Sequence, residues 1–163
     1  MWDLIRFILD SLRNVYWAAI NKPRISCSKV SSYYPAYWGP DCIWNDDGKE
    51  IASGIEIIVF VSFLLANDGP VETSIKDIYV EVVDGKRKGR LEYHPNMKSK
   101  SPVINKIQDI QIGPRKTWGP YSLRFHGSIW GMDKTSKNTK ARLIVEPVAQ
   151  SRVEKKITLP FKE

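Results

Sequence analysis

Apolar residues follow two different rhythms along the chain. Over residues 2–20 they recur at helical spacing: Leu4, Ile5, Ile8, Leu9, Leu12, Val15, Tyr16, Ala19 and Ile20 share one arc. Asp3, Arg6, Asp10, Arg13 and Asn14 occupy the opposite side, and Lys22-Pro23 ends the run, since proline disfavours helical geometry in the residue before it. From Ile55 onward the rhythm changes to period two. Val59, Val61, Phe63 and Leu65 fall on one face of a strand and Ile58, Phe60 and Leu64 on the other, so the strand is expected to be covered on both sides. Asn67-Asp68-Gly69-Pro70 reverses the chain into a half-exposed neighbour carrying Ile78, Val80 and Val82.

Further strands follow at intervals set by turn residues. Asp84-Gly85 predicts a tight hairpin into a basic strand over residues 86–94, polar enough to be a sheet edge. Strands are also expected over residues 104–112, around Tyr121, Leu123 and Phe125, around Ala141, Leu143 and Val145, and around Val153, Ile157, Leu159 and Phe161. Before the central strand, residues 24–32 read as a strand with Ile25, Cys27 and Lys29 on one face. Residues 33–49, rich in Pro and Gly, read as a long loop. Seven or eight short strands in this spacing predict an all-β sandwich. The expected division is an amphipathic helix over residues 1–22 and a β domain over residues 23–163.

A resemblance narrows that fold. Phe63-x-x-Ala66-Asn67-x-Gly69-Pro70, followed by Thr73-x-Ile75-x-Asp77-Ile78, resembles the central hairpin of immunoglobulin-like accessory sandwiches of bacteria and archaea. Ile112-Gly113-Pro114 with Tyr121-x-Leu123-x-Phe125 resembles their later strand pair. The resemblance covers about residues 50–161. It implies an immunoglobulin-like antiparallel β-sandwich behind an N-terminal hydrophobic helix and an interaction role, with no catalytic residue to carry over.

Two destinations compete for the helix's apolar arc. In one it covers the second apolar face of the central strand. In the other it lies in a membrane interface through Trp2, Ile5, Leu9, Leu12 and Tyr16, with Phe7 and Trp17 near head-group level. Its acids and bases are balanced, whereas interfacial helices are usually Lys/Arg-rich, so packing on the sandwich is the favoured expectation. The charges inside the run argue against a transmembrane span, and no secretory signal is evident, which leads to a cytoplasmic expectation with membrane association as a variant.

The 163 residues carry a net charge of +7, unevenly placed. Residues 1–83 hold 7 Lys/Arg against 11 Asp/Glu, and residues 84–163 hold 18 against 7. Lys86, Lys88, Arg90, Lys98 and Lys100 form the densest basic set, a candidate phosphate-tracking strand or a solvated edge.

The best binding candidate is the aromatic loop, where Tyr33, Tyr34, Tyr37, Trp38 and Trp44 supply anchors for a protein or glycan partner or else plug one end of the sandwich. Catalytic chemistry finds no footing. No nucleotide loop, HExxH, CxxC or GxSxG occurs. Cys27 and Cys42 are the only cysteines, open to pairing or to lying as separate inert thiols, and His94 and His126 are the only histidines. A metal site or a Cys–His nucleophile requires those four to converge. The expectation is a non-catalytic binding or scaffolding module without metal or cofactor. A membrane-peripheral protein and a nucleic-acid-associated module stand as alternatives, and oligomeric state stays open.

Overall fold

The computed structural model describes residues 2–44, 46–95, 106–132 and 139–159, without the side chains at 2–3, 33–42, 44 and 51. It contains one helix, α1 (Trp2–Ile20), and eight strands: β1 (Ile25–Trp44), β2 (Glu50–Asn67), β3 (Thr73–Asp84), β4 (Arg87–Tyr93), β5 (Gln111–Ile112), β6 (Thr117–Trp130), β7 (Lys140–Pro147) and β8 (Val153–Ile157). In the strand expected over residues 104–112, a short 3-10 turn, Ile107–Asp109, precedes β5, and residues 104 and 105 lie outside the described residues.

All pairings are antiparallel, in the order β1-β2-β6-β4-β3-β7-β8, with β5 beside the start of β3. The fold is mainly β with one N-terminal helix, as the hydrophobic rhythms predict. The expected division into two immunoglobulin-like sheets is replaced by one sheet that curls until its edges approach. Gln150 from the β7–β8 turn accepts from the backbone N–H of Ile25 and donates to its carbonyl, at 2.6 and 3.0 Å. The Ser32 hydroxyl donates to the carbonyl of Thr158. These contacts fasten β1 to the β8 side and make the sheet barrel-like.

The interior follows the period-two pattern. Ile55, Ile57, Val59, Val61, Phe63 and Leu65 of β2 point inward, and meet Ile78, Val80 and Val82 of β3, Leu91 of β4, Leu123, Phe125 and Ile129 of β6, and Leu143 and Val145 of β7. Such side chains contribute roughly 1.5–3 kcal/mol each on burial.

The strand expected to be an edge, β4, is interior, paired with β3 over six residues and with β6 at Glu92↔His126 and Tyr93↔Phe125. Glycines make that second approach possible. A Cβ at Gly127 would lie 2.6 Å from the carbonyl oxygen of Arg90, and one at Gly89 would lie 2.4 Å from Cγ1 of Ile129.

Residues 33–44, expected as a loop, continue β1. Tyr33 stands opposite Phe60, Tyr37 opposite Ile58 and Trp38 opposite Ile57, with register shifts between Ser28 and Ser31 and between Tyr33 and Tyr37. β1 runs to Trp44 and β2 starts at Glu50. β1 stands at the end of the strand order, with β2 its ladder partner, and an edge strand is where proline, which lacks an N–H, is tolerated. The bulge near Lys29, whose φ is +52°, also resets the alternation. Val30 packs against the core, and Lys29, expected on the inner face with Cys27, is exposed.

Candidate functional site

The helix does not cover the sheet. Its apolar arc lies open to solvent: Leu4 is 64% exposed, Leu12 61% and Ile5 43%, with Ile8, Leu9, Val15 and Tyr16 also exposed, and Phe7 and Trp17 on the other side of the helix are exposed too. The expectation that α1 packs on the β domain is thereby corrected. The second apolar face of β2, carrying Ile58, Phe60 and Leu64, stays half-buried without it. Of the residues expected to meet a membrane, Ile5, Leu9, Leu12 and Tyr16 are presented outward, and the side chain of Trp2 lies outside the described residues. No helix among the described residues is long and apolar enough to cross a membrane. The polar side carries Arg6, Asp10 and Arg13, with Arg13 and Asp10 3.5 Å apart.

The root of α1 is fixed to one rim of the barrel. Asn67, fully buried at the end of β2, uses its whole side-chain amide: Oδ1 accepts from the N–H of Arg24 at 3.1 Å and of Gly69 at 3.0 Å. Its Nδ2 donates to the carbonyls of Val71 at 2.7 Å and Ile112 at 3.0 Å. Asp68 N–H donates to the Arg24 carbonyl, and Pro23 is buried. A Cβ at Gly69 would lie 2.4 Å from the carbonyl oxygen of Lys22, so the linker and the β2–β3 turn pass at backbone contact. Reading the Asn-Asp-Gly-Pro stretch as a turn locates this place; four bonds from one amide are not visible in it.

Three residues of the basic set, Lys86, Lys88 and Arg90, are described, and all three are exposed. Lys86 and Lys88 are exposed at the β3–β4 hairpin. Arg90 is committed elsewhere, with Nη2 2.5 Å from Asp77 and Nε 2.6 Å from Glu92, and its guanidinium 3.8 Å above the Tyr79 ring. Burial lowers its pKa in part, but the bonds and charges of Glu92 and Asp77 outweigh that and raise it. Lys98 and Lys100 lie outside the described residues. The aromatic set Tyr33, Tyr34, Tyr37, Trp38 and Trp44 is placed on β1 by its backbone, and those side chains also lie outside the described residues.

The two histidines do converge, which the sequence alone does not reveal. On the outer face of the sheet His126 Nε2 lies 2.5 Å from a Glu56 carboxylate oxygen, and the His94 ring is 5.9 Å from that of His126. Arg124 Nη1 is 3.3 Å from His94 Nδ1. The cysteines do not join them. Cys27 is buried in the core opposite Leu65, whereas Cys42 stands opposite Ser53, twelve β2 residues away and about 40 Å at the rise of a strand. That separation also excludes a disulfide between them within one chain. Among the described residues no group of three or more His, Cys, Asp or Glu is arranged to hold a metal ion.

Comparison with protein-family models, curated proteins and solved structures finds no match.

Proposed function

We propose that this chain is a non-catalytic binding module held at a membrane surface by α1. The observation that carries the reading is the uncovered apolar arc. Seven large side chains of that arc, Leu4, Ile5, Ile8, Leu9, Leu12, Val15 and Tyr16, project from one 19-residue helix without protein cover, each a group that gains roughly 1.5–3 kcal/mol when removed from water. An amphipathic helix too charged to span lies in the interface plane, its apolar side among the acyl chains.

Co-sedimentation with phospholipid vesicles tests this on the full chain. Wild-type protein is expected in the pellet. A Leu9→Asp/Leu12→Asp variant, which alters only exposed positions of α1, is expected in the supernatant with an unchanged melting temperature. Wild-type protein that ignores vesicles, or a helix-dependent dimer in sedimentation velocity, overturns the reading.

A protein or glycan partner at the far end of the β1–β2 hairpin is the second reading. Its support is the pair Ile43 and Trp130, both exposed on strands flanking the β2 segment around Gly54. Loss of a captured partner in Trp130→Ala, with the fold intact, is its test.

A further inference from the structure

Three connections meet at the end of the barrel from which α1 departs: the linker of residues 21–24, the β2–β3 turn, and the β5–β6 turn carrying Arg115 and Lys116. Asn67 binds the first two through its side chain, and its N–H donates to the Lys116 carbonyl at 2.9 Å. The β7–β8 turn joins the same rim, with Val148 N–H bonded to Ser74 and Gln150 bonded to Ile25.

Two valines at these turn tips face solvent, Val71 41% and Val148 64% exposed. Around them Lys22, Arg24, Arg115 and Lys116 are exposed, and no ion pair engages them among the described residues. The opposing charges are Asp68, which accepts from the Ser26 hydroxyl, and Glu72. The balance of this rim is therefore positive, while that of α1 is neutral.

We infer that this rim is a second, electrostatic contact with the head groups of an anionic bilayer, laying the barrel's lower end on the surface in which α1 lies. The inference rests on the α1 reading and supplies what that helix lacks. Interfacial binding combines apolar burial with attraction to anionic lipid, and α1 contributes only the first. Unpaired cations on the turns beside its root provide the second, each worth on the order of 1 kcal/mol near such a surface. Val71 and Val148 are short enough to enter the head-group layer, and Tyr16 and Trp17 in the last turns of α1 are side chains suited to that depth. The linker is held to the rim by the Asn67 side chain, by the Asp68–Arg24 backbone bond and by the close pass at Gly69, so the root of α1 lies beside the rim.

The test measures binding of the full chain to phosphatidylcholine vesicles with and without phosphatidylserine. An Arg115→Glu/Lys116→Glu variant changes exposed turn side chains only. It is expected to weaken binding to the phosphatidylserine vesicles about tenfold or more and to leave binding to neutral vesicles unchanged. Added salt is expected to bring wild type toward the variant. Val148→Asp is expected to weaken binding to both compositions. If the double charge reversal binds phosphatidylserine vesicles as tightly as wild type while Leu9→Asp/Leu12→Asp abolishes binding, the rim is refuted and α1 stands alone. If the charge reversal weakens binding and the helix variant does not, the rim survives and the anchoring role of α1 fails. Wild-type protein that binds neither vesicle refutes both.

Discussion

Cys27 lies 3% exposed on the inner face of β1. Burial pushes its thiol pKa up to about 11 from an ordinary 9.0, against an opposing pull from Lys155. In the unfolded chain the thiol ionises near its ordinary value, while the folded protein holds the proton to higher pH. The folded state thus binds more protons between about 9 and 11. Its contribution to stability is complete below that window and is lost as pH rises through it. The melting temperature is expected to fall from pH 9 to 11, less steeply in Cys27→Ala, with parallel curves below pH 8. Tyr79 and Tyr93, whose phenols burial also holds up, add a slope common to both proteins. Identical alkaline slopes would count against a buried thiol. That Cys27 is inward was legible from its spacing to Ile25, whereas the exchange of Lys29 for Val30 was not, because a bulge breaks the alternation from which a strand's faces are read.

At the scale of elements, apolar pattern located α1, β2, β3, β6 and β7 well, because each buries a regular face. It misread β1 beyond Ser32 as a loop, since Pro and Gly are counted against strands without regard to whether the strand is an edge. It also assigned the arc of α1 to the open face of β2. Both surfaces are apolar, but complementarity of composition does not decide contact, and the structure leaves them apart. What fixes α1 is its root. Replacing Asn67 with alanine removes four hydrogen bonds that tie the linker to the β2–β3 turn and β5, leaving backbone groups near the rim to find water. A loss of about 2–3 kcal/mol is expected, from a lower urea midpoint at constant slope. Asn67→Asp keeps the acceptor and loses both donors while burying a charge, and is expected to be no better tolerated. A midpoint within error of wild type for both would show that the amide is dispensable.

The whole molecule depends on how the sheet closes, and here the sequence is least informative. A sandwich and a barrel-like sheet use the same strand lengths, the same alternation and the same turns. They differ in whether two strand sets join, and that is decided at β4–β6, where Gly127 lets the backbones approach and Gly89 makes room for the Ile129 side chain, and at the β1–β8 seam. Among the described residues the seam has few bonds, so each matters. Gln150 satisfies both the N–H and the carbonyl of Ile25, at the point where β1 has no strand partner beyond β2. Gln150→Ala is expected to cost about 1–2 kcal/mol. Its clearer signature is local: amide exchange at Ile25 should accelerate, while Val59 and Leu143 in the centre keep their protection. Because the same turn carries Val148 and the same strand start receives α1, a loosened seam should also weaken vesicle binding without any change in the apolar or charged groups that meet the lipid. Unchanged exchange at Ile25 in the variant would mean that the sheet holds its curvature from the β4–β6 crossing alone.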